Sequence, residues 1–135
     1  MIDYTNDIFT ELANAIWKAH GKDIDIKGEY MQTVSKFPTV TIDETLNTIS
    51  NRDNGNQRYA NITYRVQVFT NGNNASLGRR GEARAIMKTV SDTMYSLNLM
   101  STTYATIPNM YRSEIYEIQA TFEGVIDTNG TIYRR

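Results

Sequence analysis

The chain has 135 residues, with 14 Lys and Arg against 15 Asp and Glu, one histidine and no cysteine. That length suits a single domain, residues 1–135, with one modest core. A net charge of −1 gives no global attraction to nucleic acid or an anionic membrane, and the lack of cysteine removes disulfides, thiolate nucleophiles and thiolate metal sites.

The N-terminus "MIDYTNDIF" carries acids where a secretory leader needs a basic start and an apolar run, so no secretion signal is expected. Residues 5 to 20 then place Ile8, Leu12, Ala15, Ile16 and Ala19 on one stripe, which predicts an amphipathic helix. Thr5 is the expected N-cap, Lys18 and His20 suit the negative end of the dipole, and Gly21 suits the position past the end. Trp17 lies at the edge of the stripe, where its ring can be buried and its N–H left near water. "KDIDIKGE" follows as a short exposed strand; Asp23, Asp25 and Glu29 lack the EF-hand spacing of a cation loop.

"FPTVTIDE" alternates Val40 and Ile42 with Thr39 and Thr41, and Pro38 confines it to a strand start or sheet edge. The polar run from Glu44 to Tyr59, containing Asn54-Gly55, predicts a mobile loop. From Tyr59 to Thr70, Ile62, Tyr64, Val66 and Val68 alternate with polar residues and predict a strand, ended by Asn71-Gly72 and a further mobile loop to residue 79. Ala83, Ile86, Met87, Val90, Met94 and Leu97 then form a helical stripe over about 80 to 97.

"MSTTYATI" predicts a weaker strand, Pro108-Asn109 a turn, and 112 to 123 a strand with Tyr116, Ile118, Ala120 and Phe122 on one face. "GVIDTNGTIYRR" predicts a small hairpin turning at Asn129-Gly130. Two amphipathic helices and several one-sided strands are satisfied together by an α+β fold: an antiparallel or mixed sheet of about four strands, both helices on one face, and the C-terminal hairpin. The uncharged stretch from Thr93 to Tyr111 is too interrupted by polar residues to span a membrane. Three N-x-[ST] triplets, at Asn61, Asn74 and Asn129, are read as chance matches in an asparagine-rich chain.

No compact catalytic signature stands out. His20 has no second histidine to share a metal with, and "LGRRGEAR" lacks the lysine and hydroxyl of a phosphate loop and the three-glycine spacing of a dinucleotide turn. Arg79, Arg80, Arg84 and Lys88 cluster, with Arg80, Arg84 and Lys88 on one flank of the second helix beside its apolar stripe. They are either a solvated face or a contact for a partner's carboxylates or a nucleic acid backbone. Tyr64, Tyr116 and Phe122 share the apolar face of their strands and read as core rather than as an RNA-stacking platform.

"NRDNGNQRYANITYRVQVFTN", "GRRGEARAIMKTVSDTMYSLNLM" and "IPNMYRSEIYEIQATFEGVID", in this order over roughly residues 37 to 135, resemble the tail-terminator or tail-completion proteins of long-tailed bacteriophages, often labelled minor capsid proteins. The resemblance implies a structural virion protein rather than an enzyme, with no catalytic residue, cofactor or metal. It implies a ring, expected to be a hexamer, that caps the head-proximal end of the tail tube. The tail tube protein and the head connector or stopper protein would be its partners, and genome DNA would pass through the lumen without sequence recognition. The protein would be assembled in the host cytoplasm and reside in the virion at the head–tail junction. A head-completion or stopper protein of the neck is the nearest alternative, and a small nucleic-acid-binding module a more distant one. Arg79, Arg80, Arg84 and Lys88 are the candidate partner or DNA contacts.

Overall fold

Two helices cover one face of a six-stranded mixed sheet in the computed structural model, which describes residues 2–32, 34–53, 56–72, 78–108 and 114–133. The elements in chain order are α1 (Thr5–His20), β1 (Asp25–Lys27), β2 (Thr39–Asp53), β3 (Asn56–Thr70), α2 (Gly78–Ser96), β4 (Met100–Ile107), β5 (Tyr116–Asp127) and β6 (Ile132–Tyr133). The sheet order is β1-β2-β3-β5-β4, with β6 also on β5; β1 runs parallel to β2 and every other pair is antiparallel. The α+β class and the helices on one face follow the periodicities, while the strand count exceeds the expected four.

The alternations in β3 and β5 produce the core directly. Ile62, Tyr64, Val66 and Val68 of β3 and Ile118, Ala120, Phe122 and Ile126 of β5 are buried, together with Val40 and Ile42 of β2, Ile8, Leu12 and Ile16 of α1 and the α2 stripe. Ala13 joins the buried side of α1, whereas Ala19 is exposed. The Asn129-Gly130 turn forms as expected, with Gly130 at φ 85°. The strand expected from residue 112 begins instead at Tyr116, and 109–113 lie outside the described residues.

The largest departure concerns residues 44–58, expected as a mobile loop. Residues 44–53 and 56–58 belong instead to β2 and β3, which pair antiparallel from Thr39↔Phe69 to Asp53↔Asn56. Backbone pairing needs no apolar side chain, so a run polar on both faces can be strand. Register shifts between Glu44 and Leu46, Ile49 and Asn51, and Asn51 and Arg52 interrupt the alternation that would have revealed it. The Asn54-Gly55 turn itself and most of the 71–79 loop, residues 73–77, lie outside the described residues.

Two local expectations at α1 are also replaced by tertiary contacts. Thr5 is the first helical residue, not the cap; Tyr4 holds the cap position and its side chain makes no capping bond. The Thr5 hydroxyl donates at 3.2 Å to Glu44 Oε2, which also accepts from the Tyr64 hydroxyl at 2.9 Å. Burial, with the Glu44 carboxylate adding to it, pushes that phenol well above its ordinary pKa, so it stays a donor. Trp17 Nε1 donates to the Ile24 carbonyl at 2.9 Å rather than facing water.

The other face of the sheet carries a second, small apolar cluster of Val34, Phe69 and Ile115, with Met31 and Phe37 against it. The segment between β1 and β2 crosses this face and is tied there by Gln67, which is fully buried. Gln67 Oε1 accepts from Thr41 Oγ1 at 2.6 Å and from the Met31 N–H at 3.1 Å; its Nε2 donates to the Met31 carbonyl at 2.9 Å and to Glu117 Oε2 at 3.0 Å. All four bonding positions of the amide are used, which is what makes its burial tolerable. Beside it Arg65 forks onto Asp43 at 2.8 and 3.2 Å, with its guanidinium 4.1 Å from the centroid of Tyr30.

Candidate interaction surface

The position of α2 fixes where the basic residues point. Ala83, Ile86, Met87, Val90 and Met94 are buried against the sheet, and this sets the rotation of the helix about its axis. Arg79, Arg80, Arg84 and Lys88 are consequently exposed. Thr70 Oγ1 at the end of β3 donates to the Arg79 carbonyl at 2.6 Å, tying the helix start to the sheet. The first turn of α2 contains two arginines and no acid. Cations there oppose the positive end of the helix dipole, so these arginines are not placed for helix stability.

At its other end α2 turns directly into β4. Leu97 N–H donates to the Thr93 and Met94 carbonyls, Leu99 N–H to Met94, and Asn98 takes a φ of 64°. Asparagine is among the residues that accept this left-handed geometry most readily. The reversal lays β4 beside α2, and a groove of about 310 Å³ opens between them. Arg84, Lys88 and Ser91 form its helix wall, Tyr104 and Thr106 its strand wall, and Met87 and Ile118 its apolar floor. Ser91 Oγ and Tyr104 Oη lie 2.7 Å apart across it, and the Tyr104 ring stands edge-on to buried Phe122 at 6.2 Å between centroids.

The structure therefore divides the predicted cluster. Arg84 and Lys88, one turn apart, enter the groove, while Arg79 and Arg80 lie at the helix start outside its lining. Among the described residues neither Arg84 nor Lys88 makes an ion pair, unlike Lys27 with Asp25 and Arg65 with Asp43. Two cations, two hydroxyl-bearing walls and an apolar floor are suited to a carboxylate or phosphate next to an aliphatic group. Tyr104, Thr106 and Ser91 were not apparent from the sequence, because only the α2–β4 reversal brings them to the arginine.

His20 sits elsewhere, at the end of α1, with its Nε2 2.7 Å from Thr89 Oγ1 of α2. Desolvation holds the imidazole below its ordinary pKa of 6.5, partly opposed by the Glu82 carboxylate. The "KDIDIKGE" acids form no metal-binding group among the described residues; Asp25 instead lies 3.5 Å from Lys27. No helix among the described residues is long and apolar enough to cross a membrane.

Comparison with known proteins finds no family model that matches this chain and no curated protein that matches its sequence.

Proposed function

We propose that this chain is a structural virion protein of a long-tailed bacteriophage that caps the head-proximal end of the tail tube as a ring and joins it to the head connector. The motif order from "ITYRVQVFTN" through "GRRGEARAIMKTVSD" to "EIYEIQATFEG" suggests the assignment. The observation that carries it is a sheet with two open edges. β1 pairs with β2 only over Thr39–Thr41, so no described strand pairs with the rest of β2 on that side, and β4 is the last described strand on the other. A subunit with different unpaired edges on its two sides can make head-to-tail contacts, which close into a ring when the rotation between neighbours allows.

A hexamer is the ring that the resemblance implies, with the tail tube protein below, the connector or stopper protein above and genome DNA in the lumen. The reading needs no catalysed reaction and no cofactor. The exposed cations of α2 favour contact with carboxylates of those partners or with DNA phosphates. A stopper protein of the neck would use the same surfaces and differ only in its place in the particle.

Electron microscopy of the purified protein and of particles made without it tests the assignment. Sixfold rings, together with tails that overgrow or fail to join heads in the absence of the protein, are expected. A protein that remains monomeric at high concentration and is absent from purified particles would remove the reading. Rings bound at the connector rather than on the tube would assign it to the stopper.

A further inference from the structure

β4 carries a set of backbone bonds that no described strand uses. It pairs with β5 on one side, and no described strand pairs with the other, so alternate N–H and C=O groups of Met100–Ile107 point outward. Free edges are commonly blunted by charge, proline or a covering loop. "MSTTYATI" contains no charged residue, and its Ser101, Thr102, Thr103, Tyr104 and Thr106 are exposed. A strand added to this edge would alternate its side chains between the two faces of the sheet, and those on the helix face would enter the groove beside α2. There they would meet the Met87 floor and the cations Arg84 and Lys88, which make no ion pair among the described residues.

We infer that the β4 edge and this groove together accept an extended acidic segment of a different protein, one that carries a carboxylate two residues from an aliphatic side chain. The segment's backbone continues the sheet, its aliphatic group packs on Met87, and its carboxylate accepts from Arg84 and Lys88. A second copy of the chain is the poorer donor. On its own open edge Asp43 is engaged by Arg65, and Glu44 by Tyr64 and Thr5. Nucleic acid supplies the negative charge but cannot use the strand edge. The inference stands on the edge and the groove alone; a neighbouring copy paired along β4 in a ring would compete with the segment for this edge.

The test uses the full chain and a fluorescein-labelled peptide, TVTETVT-amide, which places valine and glutamate on one face of a strand. Anisotropy should show saturable binding, and hydrogen exchange should slow across 100–107. Lysine in place of the glutamate, or Arg84→Glu with Lys88→Glu in the protein, should weaken binding about tenfold or more, the scale of one charge-assisted bonded pair. N-methylation of one alternate set of peptide nitrogens should abolish binding, and of the other set should spare it, because only one set faces β4. Equal loss from both sets, equal affinity of the lysine peptide, or no protection of β4 would overturn the inference. Displacement of the peptide by duplex DNA at matched salt would reassign the groove to phosphate, and protection of β4 by self-association alone would reassign it to a second copy. Should the double variant not fold, the lysine and N-methyl peptides still decide the matter on the unmodified protein.

Discussion

Gln67 holds both backbone polar groups of Met31, accepting from its N–H at 3.1 Å and donating to its carbonyl at 2.9 Å. A side-chain amide here takes the place of a neighbouring strand, fastening the segment between β1 and β2 across the face of the sheet away from the helices. Gln67→Leu has nearly the right volume but strands the Met31 groups, the Thr41 hydroxyl and one bond to Glu117. Each buried group left without a partner costs about 1–3 kcal/mol. A loss of about 3 kcal/mol or more is expected as a lower urea midpoint, with faster hydrogen exchange in 29–37. A change under about 1 kcal/mol would mean that the strap contributes little.

Val66 is fully buried at the middle of the helix-facing side of β3, opposite Ile42 on β2 and Ala120 on β5. Val66→Asp puts a carboxylate there with no cation at hand, a cost of several kcal/mol against a domain stability of about 5–15 kcal/mol. The variant should be unfolded or insoluble by circular dichroism. A soluble Val66→Asp protein with a cooperative melt would contradict the packing of β3.

The elements that the sequence revealed are those whose side chains see one environment per face. β3 reads clearly because Ile62, Tyr64, Val66 and Val68 all meet the helices, and α2 because its apolar stripe meets the sheet throughout. The outer half of β2 was hidden because its backbone pairing leaves no apolar period and its bulges break the alternation. The Gln67–Met31 strap and the Arg84–Tyr104 groove were hidden for another reason. Each joins residues whose proximity depends on the chain path, and a lone glutamine or tyrosine carries no signal of it. The arginines and Lys88 were legible as a cluster, whereas their division between groove and helix start was not.

The turn between β5 and β6 is a sensitive point because it meets the start of α1. Gly130 has φ 85°, and a Cβ added there would lie 2.7 Å from Tyr4 Cε1, while the Tyr4 hydroxyl donates to the Thr128 carbonyl at 3.1 Å. Gly130→Ala should cost about 1–2 kcal/mol from the left-handed backbone alone. Displacement of the Tyr4 ring should add to this. In a Tyr4→Ala background the same substitution should cost less, by the share due to the ring contact. A double-mutant cycle by thermal melting checks this, and strict additivity would show that the ring moves aside freely.

Stability should depend on the protonation of His20. Its folded pKa lies below the ordinary 6.5, so between those two values the unfolded chain binds a proton that the folded chain does not. The contribution is therefore fully present above pH 6.5 and is lost as pH falls through the folded value. Melting temperature should drop over this range more in the unmodified protein than in His20→Gln, with Glu82 and Thr89 intact in both. Parallel pH profiles would show that the His20–Thr89 contact is not sensed by folding.

Arg80 and Arg84 are one helical turn apart on the exposed flank of α2, and Arg80 lies in a first turn that has no acid to balance it. Arg80→Glu with Arg84→Glu reverses both charges without touching the buried stripe. The new acid at position 80 suits the positive end of the helix dipole, by about 0.3–1 kcal/mol. Folding stability should therefore be unchanged or slightly higher, which separates this variant from one that fails through unfolding. If the flank meets carboxylates or DNA in the assembled particle, ring formation and tail joining should fall sharply. The defect should ease when a partner carboxylate is reversed to lysine. A double variant that melts normally, forms rings and completes particles at normal efficiency would reduce the arginines to a solvated helix face. One that melts well below the parent would instead show that the two guanidinium groups support the fold itself.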